Sequence, residues 1–487
     1  MVQTTEAARQ PATRSMAPVV AIVAFAAVVA IGTAAAGPLA VLPIFGILFF
    51  SLVMAHPEYG IALFMSTFLM SYPAVLQGTG YLTINNVLGG IFGILLTYKL
   101  YQEGDWWFVR RPEIQLLGYL IVLFYLANRL NGPDPFLLSL LGANMALAEN
   151  LRTFFNRTAF TLFFINYIRT PGHLRMIYAL ALAFMVYTSF TGVQGVMGGG
   201  GLKGYRAYTG AESLVAGEVG LIRSAGNPNR LAMFAILGIA GLWYLMQALR
   251  IAALRLIIIP VIGVLALAVF MTASRSGLLG LGVCAAAIVW DQGIDIPKML
   301  SFGLALGLLA VVAIQMVPEK SLERITNLPF TQGGETGEGA GSLENRAYTW
   351  GVGLDLFIEH PIIGIGMGNW ALVRFINDPG HSAGSPHSSY LLALVEGGIL
   401  GTGGFLALIW RAWRNIRFAE PYVTQPGSPL ANLTWVLKGI KASILVLVFF
   451  SMFADLWQLV ILFWLVGTSI VFERVVLETF PEAAAAA

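Results

Sequence analysis

Apolar runs of bilayer length, one after another, fix what this chain can fold into. The first is Ala17 to Ala36, and others lie at 38–55, 59–74, 84–100, 114–128, 154–168, 174–191, 231–248, 252–272, 276–290, 299–317, 388–410, 439–454 and 457–472. A hydrocarbon core about 30 Å thick takes about 20 helical residues, so the pattern predicts about fourteen crossings, or about twelve if some short early runs do not span. Because lipid offers the backbone no hydrogen-bond partner, these crossings are helices. The expected fold class is all-α, a polytopic integral membrane protein. With 57% hydrophobic and 11% charged residues in 487, an ordinary soluble protein is excluded. The single cysteine, Cys284, lies inside an apolar run, which excludes a disulfide framework and a thiolate metal site. The net charge of +3 is spread among loops, so no nucleic-acid partner is expected.

Polar stretches divide these runs into an N-terminal tail (1–16), N-terminal helices (17–193), a loop (194–230), central helices (231–317), a large loop (318–386), C-terminal helices (387–474) and a tail (475–487). The first run is too long for a signal-peptide core and reads as an uncleaved span. Lys99, Arg110, Arg111, Arg169, Arg175, Arg250, Arg255, Lys298, Arg411, Arg414, Arg417, Lys438, Lys441 and Arg474 fall on one set of short connections. The positive-inside rule makes those connections cytoplasmic and puts both long loops outside. Chemistry is therefore expected on the non-cytoplasmic face, where nucleoside triphosphates and sugar nucleotides are not available.

The stretch from Ser342 to Gly401 is the longest that is neither continuously apolar nor plainly a linker. Ser385 suits an N-cap and Pro386 the first helical position, so His387 is expected in the first turn of the next membrane helix. There the positive end of the helix dipole would keep the imidazole neutral and able to accept a proton. The alternative is a histidine that only caps the helix or faces headgroups. Arg346 opens a helix whose expected apolar face is Ala347, Trp350, Leu354 and Phe357. Arg275 lies in a connection so short that its guanidinium must stay at the membrane surface, and Arg223 lies in the first long loop. Each arginine could instead snorkel or pair with a local carboxylate. Glu396, an acid inside an apolar run, predicts a partner or a role. Gly397, Gly398, Gly401, Gly403 and Gly404 predict a helix face that packs closely on a neighbour. Gly364, Gly366 and Gly368 have no βαβ unit around them, so no dinucleotide site is expected. Asp355, Glu359, His360, Asp378 and His381 form no compact ligand set, and no metal or other cofactor is expected.

Several of these segments together resemble a known family. They are Gly226-Asn227-Pro228-Asn229-Arg230-Leu231-Ala232, Ser274-Arg275-Ser276-Gly277, Asn345-Arg346 with Trp350, His360-Pro361-Ile362-Ile363-Gly364-Ile365-Gly366, and His387-Ser388-Ser389-Tyr390-Leu391 with Glu396-Gly397-Gly398-Ile399-Leu400-Gly401. Over roughly residues 220–405 the chain resembles the O-antigen ligase and O-antigen polymerase superfamily, although Ser388 stands where that family usually has asparagine. The resemblance implies a GT-C type membrane glycosyltransferase of the bacterial inner membrane, with its active site facing the periplasm. It implies an undecaprenyl-diphosphate-linked glycan as donor and a glycan, lipid A core or protein hydroxyl as acceptor, with inversion at the anomeric carbon. His387 would be the base, and Arg275 and Arg346 would hold the diphosphate, with Arg223 as a third cation. Asn229, Tyr390 and Glu396 would bind substrate. About fourteen spans exceed the roughly twelve associated with ligases of this superfamily, which favours a polymerase of O-antigen or exopolysaccharide repeat units over an O-antigen ligase or a protein O-oligosaccharyltransferase. From another class, a transporter would place charges and broken helices at mid-membrane in two repeated halves, and no such repeat is visible. A structural subunit of a polysaccharide export complex stays open.

Overall fold

A computed structural model describes residues 51, 53, 55–69, 84–132, 144–195, 228–272, 274–293, 297, 338–370, 372–373, 386–456 and 459–485. The chain divides into two compact units, Met1–Gly60 and Ile61–Ala487, and every described site residue falls in the second. The described residues form helices and no strand. In chain order these are α1 (Pro57–Leu69), α2 (Ile84–Glu103), α3 (Pro112–Leu130), α4 (Asn144–Tyr167), α5 (Pro171–Gly195), α6 (Pro228–Ala248), α7 (Ala252–Met271), α8 (Arg275–Gln292), α9 (Glu338–Glu359), α10 (Ser389–Thr424), α11 (Thr434–Phe450) and α12 (Val460–Thr479).

Seven of these helices, α3, α5, α6, α7, α10, α11 and α12, are long and apolar enough to cross a membrane. The chain is thus a multi-pass membrane protein. Helices also form over the expected runs at 84–100, 154–168 and 276–290. The runs at 17–36 and 299–317 lie outside the described residues.

The helix α12 is buried on every side along Val460–Val476, which makes it the bundle's central post. Around it α10 packs against α3 and α12, and α6 against α5, α7 and α11. On α7 the apolar residues Leu256, Ile257 and Ile259 stay exposed, as expected of a helix that faces lipid. Small residues set the closest approaches. A Cβ on Gly280 would stand 2.3 Å from the Phe450 ring, so α8 and α11 can meet there only without a side chain.

The basic residues assigned to the cytoplasmic side gather at one end of these helices, among acids that the orientation argument did not use. Arg111 pairs with Glu473, while the fully buried Glu113 accepts from Arg411 at 2.9 Å and from Asn415 at 3.0 Å. Asp291 accepts from Lys438 at 2.9 Å and from Lys441 at 3.1 Å. Lys99 donates to the Asn166 carbonyl at 2.6 Å. The residues singled out for chemistry lie at or towards the other end of the same helices, at the starts of α6, α8 and α10 and in the turn from α11 to α12.

Two local expectations are corrected. The buried face of α9 is not Ala347, Trp350, Leu354 and Phe357, since Trp350 and Leu354 are exposed and Thr349, Gly353 and Leu356 are buried. Gly353 decides this, because a Cβ there would already press on Leu391 at 3.1 Å, so the glycine face is the one that α10 can approach. Arg346, three residues before Thr349 and seven before Gly353, is carried on the same inward face.

The glycines of α10 also do two jobs where one was expected. Gly397, Gly401 and Gly404 face Phe124 and Leu120 of α3, as close packing requires, and Gly403 faces open space. Gly398, however, breaks the helix, with φ 62° and ψ −162°. The segment after α9 fills the break like a clip. Ile365 and Gly366 donate to the carbonyls of Val395 and Glu396 at 2.9 and 3.0 Å, and Ile399 and Leu400 donate to those of Pro361 and Ile362 at 2.9 and 3.2 Å. Helix hydrogen bonds lost at the break are thereby replaced, which is what allows a break inside an apolar helix. A Cβ at position 398 would lie 2.4 Å from the Ile362 carbonyl oxygen. Gly398→Ala is therefore expected to lose about 1–3 kcal/mol from backbone strain alone. Thermal unfolding in detergent checks this, and an unchanged transition would mean that the helix can close without the clip.

Candidate functional site

Four connections meet at the far end of the bundle from the basic cluster. The first is the start of α6, where Pro228 occupies the first helical position and Asn229 and Arg230 follow. Asn229 Nδ2 donates to the Phe453 carbonyl at 3.2 Å, and Arg230 Nη2 donates to the Asp455 carbonyl at 3.1 Å. The second is the start of α8, where Ser274 caps the helix by accepting from the Gly277 N–H at 2.9 Å and donates to Asn229 Oδ1 at 2.7 Å. A Cβ on Gly277 would meet Ala232 at 2.8 Å, so this glycine lets α8 lie against α6, where Ser274, the residue before Arg275, bonds Asn229.

The third connection is the approach to α10, and here the structure departs from the expected helix start. The N-cap is Ser388, whose Oγ accepts from the Leu391 N–H at 3.3 Å, and the helix begins at Ser389. His387 is not in the first turn. It precedes the cap with φ 51°, the left-handed region that costs a non-glycine residue about 1–3 kcal/mol. Tertiary contacts hold it there. The Trp350 indole donates to the Pro386 carbonyl at 3.0 Å on one side of His387, and the Ser388 N–H donates to the Asp455 carboxylate on the other. Local capping rules saw neither partner.

The fourth connection is the turn from α11 to α12. Ser389 grips it, accepting from the Leu456 N–H at 2.6 Å, donating to the Ala454 carbonyl at 2.6 Å and sending its own N–H to the Ser451 carbonyl at 2.7 Å. This grip sets Asp455 against His387, with Nδ1 and Oδ2 4.0 Å apart. That is Coulombic range but too long for a hydrogen bond.

The electrostatics follow from burial and from two arginines. Burial pulls the His387 imidazole below the ordinary histidine value, and Arg346 and Arg230 lower it further. Burial pushes the Asp455 carboxyl up to about 6, against the pull of Arg230, the Ser388 N–H and Arg346. The imidazole is thus neutral at pH 7 for a reason other than the helix dipole, and the carboxyl beside it titrates close to neutrality. A neutral imidazole with a carboxylate at one nitrogen and guanidinium groups nearby can take a proton and stabilise an anion.

Asp455 and Arg230 were not among the residues singled out from the sequence. Arg230 was quoted only within a motif, and Asp455 only separated two apolar runs. The signal for Asp455 was present, since an acid in a link that short between two membrane helices has nowhere else to go. Of the residues that were singled out, His387 and Arg346 come together. Arg275 heads α8, half-exposed, at the same end. Asn229 holds backbone and Ser274, and Tyr390 Oη donates to the Val448 carbonyl at 2.9 Å. Glu396 is buried at the α10 break, where Oε1 accepts from the Gly368 and Trp370 N–H groups at 2.9 and 3.4 Å. Arg223, Asp378 and His381 lie outside the described residues. Among the described residues no three of His, Cys, Asp and Glu gather as a metal site.

A family model described as O-antigen ligase matches residues 260–406. Over this segment the chain is similar to the O-antigen ligase family. The match overlaps the region of the resemblance and takes in Arg275, Arg346, His387 and Glu396. Arg230 and Asp455 lie outside the matched segment, so the site is completed by residues on either side of it. No curated protein matches the chain.

The match also puts Ser388 in context. Asparagine and serine are both strong N-caps, and here the residue after the histidine is the cap of α10. Ser388→Asn is accordingly expected to keep activity and stability, while Ser388→Ala loses about 0.5–2 kcal/mol. Unfolding midpoints of the two variants check this.

Proposed function

We propose that the protein is an inverting glycosyltransferase that moves a glycan from undecaprenyl diphosphate to an acceptor hydroxyl at the periplasmic face of the bacterial inner membrane. The observation that carries this reading is the meeting of His387, Asp455, Arg230 and Arg346 at one end of a helical membrane bundle, opposite the basic cluster. A lipid diphosphate needs a site at the membrane, cations for its leaving group and a base for the attacking hydroxyl. Each requirement has a candidate here.

In the reaction, the acceptor oxygen attacks the anomeric carbon from the side opposite the diphosphate. The bond from that carbon to the diphosphate oxygen breaks, and its electron pair leaves on the diphosphate. The hydroxyl proton passes to Nε2 of His387, the ring nitrogen away from Asp455, and Asp455 stabilises the imidazolium. Arg346 and Arg230, with Arg275 at the start of α8, face the charge that grows on the diphosphate, which guanidinium forks suit because they donate two parallel hydrogen bonds. No cation bridge is needed in this scheme.

The acceptor defines the class of enzyme. Transfer to another repeat unit makes a polymerase, the reading favoured by the number of apolar runs. Transfer to lipid A core makes a ligase, the reading favoured by the description of the matched family. Purified protein given an undecaprenyl-diphosphate-linked glycan, with chelator present, tests the common step. Undecaprenyl diphosphate should appear with a longer or transferred glycan, and an unchanged donor would overturn the proposal. Surface glycans from cells lacking the gene separate the two acceptors. Single-repeat products mark a lost polymerase, and full-length glycan left on its carrier marks a lost ligase.

A further inference from the structure

One face of α9 is left open, and it is an apolar face. Trp350, Leu354 and Ile358 lie at intervals of four, which makes them one stripe of the helix, and Ile362 follows in the clip. All four are exposed, Ile358 at 71% and Ile362 at 65%. The packed face is a different one, where Gly353 meets Leu391 and where Thr349 and Leu356 are buried. Asp355 and Glu359 are exposed as well. They stand about 100° round the helix from Leu354 and Ile358, so the open surface is split into an apolar stripe and an acidic flank.

The depth of this stripe follows from α10, which is long and apolar enough to cross the membrane. The two helices run side by side, with Gly353 at Leu391 and with the carbonyls of Pro361 and Ile362 bonded by the N–H groups of Ile399 and Leu400. Position 399 is ten residues from Ser389 at the site's end and twelve from Arg411 in the basic cluster, about 15 Å and about 18 Å along the axis. A hydrocarbon core about 30 Å thick therefore encloses the clip. Trp350, by contrast, is at the site's end, because its indole donates to the Pro386 carbonyl at 3.0 Å. The chain thus descends from Trp350 to Ile362 and is back at the same end by Pro386. Where it reaches Ile362, the exposed side chains of Ile399 and Leu400 lie alongside, and Tyr119 of α3, also exposed, donates to the Leu400 carbonyl at 3.4 Å. The stripe of α9 continues the apolar outer surface of these membrane helices towards His387.

We propose that α9 and the clip form a re-entrant hairpin in the leaflet on the site's side, and that Trp350, Leu354, Ile358 and Ile362 lie against the acyl chains of bilayer lipid. An amphipathic helix at a membrane boundary buries such a stripe about 5–10 Å into the leaflet, while its charged flank stays in water, as Asp355 and Glu359 require. A tryptophan at the shallow end, with its ring in the interface and its N–H bonded, anchors the helix there. Part of the segment read from the sequence as an outer loop is then inside the membrane. The surface does not depend on the reaction proposed above, but it bears on the site, because Trp350 also holds the backbone next to His387.

The test uses the full-length protein in nanodiscs of phosphatidylethanolamine and phosphatidylglycerol, with no polyprenyl carrier present and with nitroxide labels on introduced cysteines. Cys284, the single natural cysteine, is buried, and the natural protein taken through the same labelling gives the background. Labels on Leu354→Cys and Ile358→Cys should be relaxed by oxygen, which concentrates in hydrocarbon, and shielded from a water-soluble nickel chelate, at a depth of about 5–10 Å that increases from 354 to 358. Labels on Asp355→Cys and Glu359→Cys should show the reverse. All four side chains are exposed, so the substitutions should leave folding intact, and Ile362→Cys reads the same stripe if Leu354→Cys or Ile358→Cys does not fold. Nickel access at 354 and 358 equal to that at 355 and 359 overturns the proposal, because the stripe then stands in water. Shielding from both reagents, with spin–spin broadening between copies, overturns it by making the stripe a contact between two copies of this chain. Oxygen access that appears only after undecaprenyl phosphate is added also overturns it, by making the stripe a seat for the carrier's chain.

Discussion

Replacing His387 with alanine is expected to lower turnover by about 10²- to 10⁴-fold while the protein still inserts and folds. The size follows from the role. A positioned base removes the need to carry a free proton acceptor to the transition state, and among the described residues no other imidazole is placed at this junction of α6, α8, α10 and the α11–α12 turn. Folding should survive because His387 sits before the cap of α10, and alanine, which carries a Cβ as histidine does, meets a similar backbone cost at its left-handed φ. Loss of the side chain relieves no buried hydrogen-bond ladder, since Ser388 and Ser389 carry the backbone contacts on its C-terminal side. The measurement is the initial rate of glycan transfer by purified protein, beside its unfolding midpoint. A variant with near-natural turnover would remove His387 from the base role and leave Asp455 as the remaining candidate.

How much of this was legible in the sequence depended on the range of the interactions involved. Apolar runs predict helices because lipid punishes any other backbone, so α3, α5, α6, α7, α10, α11 and α12 were readable from run length alone. The ends of the molecule were readable as well, since the excess of lysine and arginine marks one side. The start of α10 was not. Ser385 and Pro386 satisfy every local rule for a helix opening, yet Trp350, 36 residues before Pro386, and Asp455, 67 residues after Ser388, take the backbone of 386–388 out of the helix.

The same reason accounts for Gly398. A run of glycines in an apolar helix signals close packing, and Gly397, Gly401 and Gly404 obey that rule. Gly398 differs only because the clip from 361–366 arrives to bond the freed backbone groups, and nothing near residue 398 announces it. Arg346 shows the opposite case. The apolar face of its helix was expected at Ala347, Trp350, Leu354 and Phe357, but apolar residues in a membrane protein are as content outside the bundle as within it. The small residues, here Gly353, were the better guide to the packed face.

The pH dependence of turnover should then show that His387 and Asp455 act as a pair. Both must be unprotonated for the mechanism to run, His387 to accept the proton and Asp455 to stabilise the imidazolium. His387 lies below the ordinary histidine value and Asp455 at about 6, so activity is expected to be level above neutrality and to fall as pH drops through 6. The fall should be steeper than one proton allows, because both groups bind protons over the same acid range and titrate together. Asp455→Asn removes one of the two steps and the negative charge beside the imidazole. Its acid limb should become a single-proton limb and move to lower pH, since only Arg346 and Arg230 then act on His387. The plateau should drop by roughly 10- to 10³-fold, less than the loss of about 10⁴-fold known for an aspartate tightly hydrogen-bonded to a catalytic histidine. The separation of 4.0 Å is the reason for the smaller figure, because a Coulombic partner orients the ring less firmly than a hydrogen bond does. Rates measured from pH 5 to pH 8.5 for both proteins decide the matter. An unchanged plateau with an unchanged acid limb in Asp455→Asn would show that the carboxylate only ties down the Ser388 N–H and takes no part in proton transfer.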